Sequence, residues 1–533
     1  MMAIIKYGKV SMSSIISKIR LINYKKFADY TIEPNEHVNI LVGDNEVGKS
    51  SILEAIDIVA SGNVKRVEKI GLDRLINSDA VIKFNSGERD FKHLPKLIIE
   101  LYLSGDFDHT MNGDNNSDAI THDGIRLVCE PNPDYRTEIK ESLDANPEYF
   151  PYDYYSVRFS TFADEGYTSY KKKIRSYLIN SSNMNTGHAT NDFVKKAYRQ
   201  YTEDNVKERA KLQSEYRLVR NTFQKDSLNS LNQRISTGKN YTFGLKNSNT
   251  SSFEDDLMIY EDNISIDNKG TGRQIIIKTD FALERAGENT DIVLIEEPEN
   301  HLSPVNLRKL IKRISEAQDS QLFITTHSSF ISTRLEIQNL LIIDDSIVRE
   351  KPTKLDSLTE ETARYFMKAP PAGIIEYALS RKALLVEGPA EYILFEKFYR
   401  QITTHSPEED DVQIIDIRGL SFKRYLEIAK FTNSRTAVIT DNDGDFQKNC
   451  IDKYTEYTDD ENINIFYDSD NTKHTFEVVL YGDNATLCDE LFKKDAIKYM
   501  LNNKTEAAFK LLSAEKPISV PAYVKRAIEW INA

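Results

Sequence analysis

From Gly43 to Ser51 the chain reads GDNEVGKSS, directly after the apolar run Val38-Asn39-Ile40-Leu41-Val42. Gly43 and Gly48 let the backbone curl so that successive N–H groups point inward at phosphate oxygens. Lys49 can reach the outer phosphates of a nucleoside triphosphate, and the Ser50 hydroxyl can ligate Mg²⁺. The helix expected after it turns its positive end to the same anion. Gly43, Asp44, Asn45, Glu46, Val47, Gly48, Lys49, Ser50 and Ser51 are therefore the candidate nucleotide-binding residues. A chance match in a surface turn is the alternative, and three later segments argue against it. Lys269-Gly270-Thr271-Gly272 stands just ahead of an apolar helix, so its amides also suit a phosphate. DIVLIEEPENHLSP is an apolar strand ending in Glu296-Glu297, a carboxylate pair able to hold Mg²⁺ and polarise a water. QLFITTHSSF carries another strand into His327.

A second group of acidic residues follows. Ala383 to Val386 is a buried-type strand running into Glu387-Gly388-Pro389-Ala390-Glu391, and TAVIT runs into Asp441-Asn442-Asp443-Gly444-Asp445. An ExxxE and a DxDxD at two strand ends can converge on one or two divalent cations, since hard Mg²⁺ takes several carboxylate oxygens. For either motif alone an acidic turn is the simpler explanation. A calcium loop at Asp441 lacks the bidentate glutamate it requires.

The elements that must position these groups alternate. Strand, helix and strand succeed one another through VQIIDI, SFKRYLEIAKF and TAVIT, which predicts a small parallel sheet with ligands at its carboxyl edge. Earlier, IISKIRLINYKKFADYTIE reads as two short strands with a basic turn, leading into VNILV. LIIELYL and Ile125 to Cys129 are further strands around a polar loop whose His109 and His122 read as solvated. Between Tyr152 and Ser252 the apolar residues Leu212, Tyr216, Val219 and Phe223 have helical spacing. There Lys171-Lys172-Lys173 with Arg175, flanked by Tyr170 and Tyr177, reads as a solvated helix face more readily than a nucleic-acid contact. At 533 residues two or three domains are expected. The divisions are 1–12 as an N-terminal extension, 13–151 and 253–345 as two parts of a nucleotide-binding domain, 152–252 as a helical insertion, 346–380 as a linker and 381–533 as an acidic-site domain.

Lys+Arg 69 against Asp+Glu 83 gives a net charge of -14, which argues against coating nucleic acid through bulk charge. Cys129, Cys450 and Cys488 lie far apart, without a CxxC pair, which removes a disulfide framework and a zinc ribbon. No apolar run approaches a membrane span, and the start lacks a long apolar leader, so the expectation is a cytoplasmic protein without a membrane partner.

Taken together, the phosphate loop, Gly270-Thr271-Gly272, IEEPENHLSP and ITTHSS resemble an ATP-binding-cassette ATPase of the branch that includes RecF-like and SMC-like proteins and, most closely, the OLD (overcoming lysogenization defect) nucleases. The two acidic motifs together resemble a Toprim domain. The resemblance implies an α/β fold, a cassette ATPase with a helical insertion followed by a Toprim domain, using ATP with Mg²⁺ or Mn²⁺. It makes Gly43 to Ser51 the Walker A loop and Gly270-Thr271-Gly272 a signature segment, here departing from the usual Leu-Ser-Gly-Gly-Gln form. Ser50 and Glu296 become metal ligands, Glu297 the catalytic glutamate and His327 the switch histidine. In the Toprim part it implies Glu387, Glu391, Asp441, Asp443 and Glu477 as the metal shell, with Glu387 and Asp441 catalytic. A lysine near the C-terminus is expected to assist the phosphate, and Lys525 is the candidate. The function implied is an ATP-controlled, metal-dependent DNA endonuclease in bacterial defence against phage. It would be at least a homodimer, with a possible companion: a helicase-like protein, or a reverse transcriptase with its RNA–DNA hybrid. The alternative is a DNA-repair ATPase whose Toprim part is a scaffold. A topoisomerase or primase reading fails for want of a tyrosine-bearing domain or a zinc ribbon.

Overall fold

The computed structural model describes residues 16–146, 149–169, 173–180, 187–202, 205–234, 241–245, 253–284, 291–316, 320–344, 350–368, 373–419, 421–493 and 495–533. The expected N-terminal extension, Lys171-Lys172 and Ala369 to Ala372 lie outside them.

The chain opens with the hairpin β1 (Ile16–Tyr24) and β2 (Phe27–Ile32), followed by β3 (Val38–Val42) and the helix Lys49–Ser61. The buried positions of β1, Ile16, Ile19, Leu21 and Tyr24, join one apolar core, and a register shift between Ile16 and Lys18 brings Ile16 into line with Ile19 and Leu21. Tyr24 pairs with Phe27, so the hairpin turn consists of Lys25 and Lys26, with Lys25 in the left-handed region. β4 (Leu97–Leu103), β5 (Asn112–Gly113), β6 (His122–Pro131) and β7 (Tyr155–Thr161) complete an antiparallel sheet in the order β2-β1-β4-β6-β5, with β7 on β6.

A second sheet carries the phosphate loop. β8 (Ser176–Asn180), the short hairpin β9 (Tyr260–Glu261) and β10 (Ile264–Ser265), β11 (Ile292–Glu296), β12 (Gln321–Thr325), β13 (Leu340–Ile342) and β14 (Thr353–Lys354) follow in sequence. The order is β14-β13-β3-β12-β11-β8, parallel except for β14. IVLIE and QLFIT are apolar almost throughout because both faces are covered. Their carboxyl ends therefore emerge side by side with the end of β3.

Two readings from the sequence are corrected. Tyr155–Thr161 and Ser176–Asn180, inside the stretch read as helical, are strands of these two sheets. In Ser176–Asn180 buried Tyr177 and Ile179 alternate with half-buried neighbours, the period of two of a strand, while Tyr155–Thr161 buries its last three residues together. Tyr177 is thus a core residue, and Lys173 pairs with Asp108. Among the described residues of this stretch the α-helices are Gly187–Tyr201 and Val206–Asn232. The stretch read as a linker also holds two packed helices, Glu360–Lys368 and Ile374–Leu379, whose Phe366, Ile374, Ile375 and Tyr377 are buried.

The C-terminal part has a parallel sheet of β15 (Lys382–Val386), β16 (Val412–Asp416), β17 (Arg435–Ile439) and β18 (Ile463–Phe466), ordered β16-β15-β17-β18. Helices Pro389–Thr403 and Ala522–Asn532 contribute Leu394, Phe398, Val524 and Ile528 to one apolar layer on it. The helix Phe422–Thr432 covers the other face, in an apolar core that runs without a break into the phosphate-loop sheet through Ile331, Ile374 and Tyr377.

Candidate functional site: a phosphate loop and a carboxylate cluster

The first cleft, of about 280 Å³, lies where β3, β11 and β12 end. Lys25 and Lys26 line it from the hairpin, Asn45 to Ser51 from the loop except for Val47, and Glu297 and His327 from the two neighbouring strands. The Val47 side chain is buried in the core instead, so this position can offer a ligand only its backbone. Gly48 has φ 102, and a Cβ there would stand 2.5 Å from the Phe27 ring, so both conformation and space demand glycine. Lys49 is 6 % exposed and its ammonium donates to the carbonyls of Gly43 (2.8 Å) and Asp44 (2.7 Å). Burial lowers its pKa, against the pull of Glu297, Asp44 and Glu299.

Glu296, the last residue of β11, is raised in pKa by burial, while the Ser50 hydroxyl donates to it and Glu297 adds repulsion. Ser50 and Glu296 thus already share a polar contact at the mouth of the loop. Glu297 turns the chain with φ 42 and ψ 58. One of its oxygens accepts from Asn300 Nδ2 at 2.6 Å, and the other lies 3.6 Å from His327 Nε2. Glu299, which the sequence reading passed over, accepts from the Thr326 hydroxyl and the His327 N–H, both at 2.7 Å. The signal was available in IEEPENHLSP, but nothing in its spacing distinguishes Glu299 from a solvated turn residue.

Gly270, Thr271 and Gly272 are not among the described residues lining this cleft. They start the helix Thr271–Glu284, and a Cβ on Gly272 would collide with the His301 carbonyl of the turn after Glu297.

The second cleft is at the carboxyl edge of the C-terminal sheet. Glu387 follows β15, Glu391 lies in the first turn of the helix Pro389–Thr403, Asp441 and Asp443 follow β17, and Glu477 starts the helix Phe476–Asp483. The Asp441 N–H donates to Glu387, and Asp441 Oδ1 accepts from the Phe476 N–H at 2.8 Å, so three separate segments are tied at one point. Burial pushes the Asp441 carboxyl up to about 8, and Glu387, Glu391 and Glu477 add to it. Burial likewise pushes Glu391 up to about 7, with repulsion from Glu477 and Glu387. Glu387 is raised by burial first and by Asp443 next.

Asn442 holds the turn between the two aspartates. Its amide donates to the carbonyls of Asp468 (2.8 Å), Asp470 (3.0 Å) and Lys473 (3.3 Å), and its oxygen accepts from the Gly444 N–H at 2.8 Å. Asp443 takes φ 46 there.

Lys525 is not brought to this cluster. It lies on the solvent side of the helix Ala522–Asn532, 3.7 Å from Glu529, while Tyr523 and Val524 occupy the buried side. The lysine at the site is Lys504, 2.9 Å from Glu477 Oε2. Burial opposes its charge, but Glu477, Asp441 and Glu391 outweigh that and raise its pKa. No spacing in the sequence marks Lys504, because its approach depends on how the C-terminal helices pack.

The donor set suits a hard divalent cation: Glu391 and Glu477 are buried, Glu387 and Asp441 half-buried and Asp443 exposed, and carboxylates that repel one another are neutralised by a cation more readily than by a single lysine. Thr475 Oγ1, beside them, is buried with no hydrogen-bond partner among the described residues. No three of the five carboxylates bring ligand atoms within 4.8 Å of one another; among the described residues Glu88, Asp90 and His93 do, but all three are exposed on one short turn. His122 instead bonds the Asp123 carbonyl.

A nucleotide-type loop at the end of one parallel sheet and a carboxylate cluster at the end of another define an ATPase domain joined to a Toprim domain. The chain belongs to the family whose model is described as "AAA domain, putative AbiEii toxin, Type IV TA system", which matches residues 38–333. A second model, "Overcoming lysogenization defect protein-like, TOPRIM domain", matches residues 379–443, so the ATPase part is followed by an OLD-like Toprim domain. It is similar to the DNA replication and repair protein RecF of Clostridium kluyveri, 29 % identical over 131 residues, which are 24 % of this chain and 35 % of RecF. The match thus spans about a third of that curated relative's length. Among solved structures, an SMC head bound to the C-winged helix domain of ScpA aligns with TM-score 0.33 and 16 % identity over 62 % of this chain and 94 % of its own. The C-terminal region of the Burkholderia pseudomallei OLD protein aligns with TM-score 0.23 and 16 % identity over 29 % of this chain and 97 % of its own. No helix among the described residues is long and apolar enough to cross a membrane.

Proposed function

We propose that this chain is an ATP-binding and ATP-hydrolysing, metal-dependent DNA endonuclease of the OLD type. One observation carries the reading. Two acidic motifs from separate strands meet Glu477 and Lys504 at one sheet edge, where burial and mutual repulsion raise the Asp441, Glu391 and Glu387 carboxyls. A scaffold has no use for such a cluster, because it costs folding free energy unless cations join it.

In this reading the loop from Gly43 to Ser51 binds the ATP phosphates, with Lys49 on the outer ones, and Ser50 and Glu296 hold the nucleotide's metal. Glu297 orients the attacking water, and His327 beside it senses the γ-phosphate. Gly270-Thr271-Gly272 faces the ATP of a second copy, so the working form is at least a homodimer. The helices from Gly187 to Asn232 add contact surface, and the units are a cassette interrupted by those helices and a Toprim domain from about residue 381. Glu387, Glu391, Asp441, Asp443 and Glu477 hold Mg²⁺ or Mn²⁺ in the second cleft. Bound there, the metal supplies the Lewis acidity that activates water and neutralises the leaving oxygen. Lys504 takes over the role expected of Lys525 and holds a phosphate oxygen of the DNA. The setting is defence against phage in the bacterial cytoplasm, supported by the toxin–antitoxin description of the matching family. The chain would be the effector of a retron or of a Gabija-like pair.

The deciding experiment incubates plasmid DNA with protein, Mg²⁺ or Mn²⁺, and varied ATP. Asp441→Ala and Glu387→Ala should abolish cutting while ATP hydrolysis persists, and Lys49→Ala should lose ATP affinity. Cutting by Asp441→Ala at the wild-type rate would return the Toprim part to a scaffold role. Light scattering should report a dimer or larger with ATP; a strict monomer would count against the shared ATP site. Phage plaque assays with the Asp441→Ala protein test the defence setting.

A further inference from the structure

Glu299 is placed by the turn that also carries Glu297. After the left-handed Glu297, the short helical turn Pro298–His301 brings Glu299 back toward the end of β12. There Oε1 accepts from the Thr326 hydroxyl and from the backbone N–H of His327, both at 2.7 Å, the length of charge-assisted bonds. The Thr326 hydroxyl accepts in turn from the Ser328 N–H at 2.9 Å, so one carboxylate oxygen ties Thr326, His327 and Ser328 together, beside the backbone bond from Thr326 N–H to the Leu41 carbonyl. The other oxygen, Oε2, is buried and has no hydrogen-bond partner among the described residues.

The imidazole of His327 lies 3.6 Å from Glu297, and the only side chain seen to grip the His327 backbone among these contacts is Glu299. Glu299 itself is not arranged to do chemistry. Its Oε1 is already engaged by two donors, and its Oε2 is shut away from water. We propose that Glu299 is a positioning residue for ATP hydrolysis: it fixes His327 against Glu297 by holding the Thr326-His327 backbone. Asn300, bonded to Glu297 from the opposite side at 2.6 Å, is the second half of the same clamp. The inference rests on the ATPase reading and adds to it the group that sets the geometry.

Steady-state ATP hydrolysis and ATP binding are measured for Glu299→Ala, Glu299→Gln and Lys49→Ala. Misplacing His327 in Glu299→Ala should cut kcat by about 10- to 100-fold, with KM for ATP within about twofold of wild type. Glu299→Gln keeps an oxygen that accepts both hydrogen bonds and should recover kcat to within about threefold of wild type. Wild-type kcat in Glu299→Ala, a loss confined to KM, or a Glu299→Gln as slow as Glu299→Ala would each overturn the inference; the last would mean that charge, not placement, matters. Should Glu299→Ala fail to fold, Thr326→Val, which removes one donor, should lower kcat where Thr326→Ser preserves it, and equal rates for both would overturn the clamp. Hydrolysis at the wild-type rate by Lys49→Ala would instead sink the ATPase reading itself, a separate outcome.

Discussion

At the scale of residues, the charge state of Asp441 makes a prediction about stability. Its folded pKa of about 8 lies above the ordinary value of 3.8, so between those values the folded chain retains a proton that the unfolded chain has lost. Stability from this group is full below the unfolded pKa and is lost as pH rises toward about 8. Glu391, raised to about 7, acts in the same direction. With EDTA present, melting temperature should therefore fall between about pH 4 and about pH 8, and millimolar Mg²⁺ should remove most of that fall at the upper end. A melting temperature independent of pH and of Mg²⁺ would show that no such strained cluster forms. The two lysines make a second test. Lys504→Ala should reduce DNA cleavage by about a hundredfold, as loss of a positioned cation does. Lys525→Ala, on the solvent face beside Glu529, should cleave normally.

Between residue and domain stands the turn that presents Asp441 and Asp443. Asn442 is 1 % exposed and makes four hydrogen bonds that knot this turn to the segment from Asp468 to Lys473. Asn442→Ala leaves those carbonyls and the Gly444 N–H without a side-chain partner and should destabilise the protein by about 2–3 kcal/mol. Because Asp443 takes φ 46, the slackened turn would also let the Asp441 and Asp443 carboxylates shift. The expected result in denaturant melts and parallel assays is lower stability and lost cleavage, with ATP hydrolysis retained. Asparagine was visible in the motif DNDGD, but its partners come from residues beyond β18. The sequence could suggest a metal ligand there as easily as a structural one.

Across the whole molecule, one apolar core joins the ATPase sheet to the Toprim sheet through the helices Ser329–Arg334 and Ile374–Leu379. Polar contacts follow the same path. The Ser329 hydroxyl donates to Glu376 at 2.9 Å and accepts from the Ile375 N–H at 3.2 Å, and the Tyr377 hydroxyl pairs with Thr436 of β17 at 3.0 Å. Units that share a core this way unfold together, unlike domains on a polar interface. Calorimetry should show a single transition, and Ser329→Ala should lower it as a whole by about 1–2 kcal/mol. Two separated transitions would show that the units are independent.

The sequence by itself determined the local chemistry: which loop can cradle phosphate, which strands end in carboxylates, and that a small parallel sheet carries the C-terminal pair. Those features are written in adjacent residues, because a phosphate loop, a buried strand and an ExxxE turn each depend on neighbours in the chain. Tertiary structure decided what must be assembled across distance. It drew Tyr155–Thr161 and Ser176–Asn180 into sheets whose other strands lie far away in sequence. It buried the supposed linker, because the apolar faces of two short helices found a shared core. It chose Lys504 over Lys525, because a lysine on one helix face reaches a cleft only when the packing of every neighbouring helix turns that face inward.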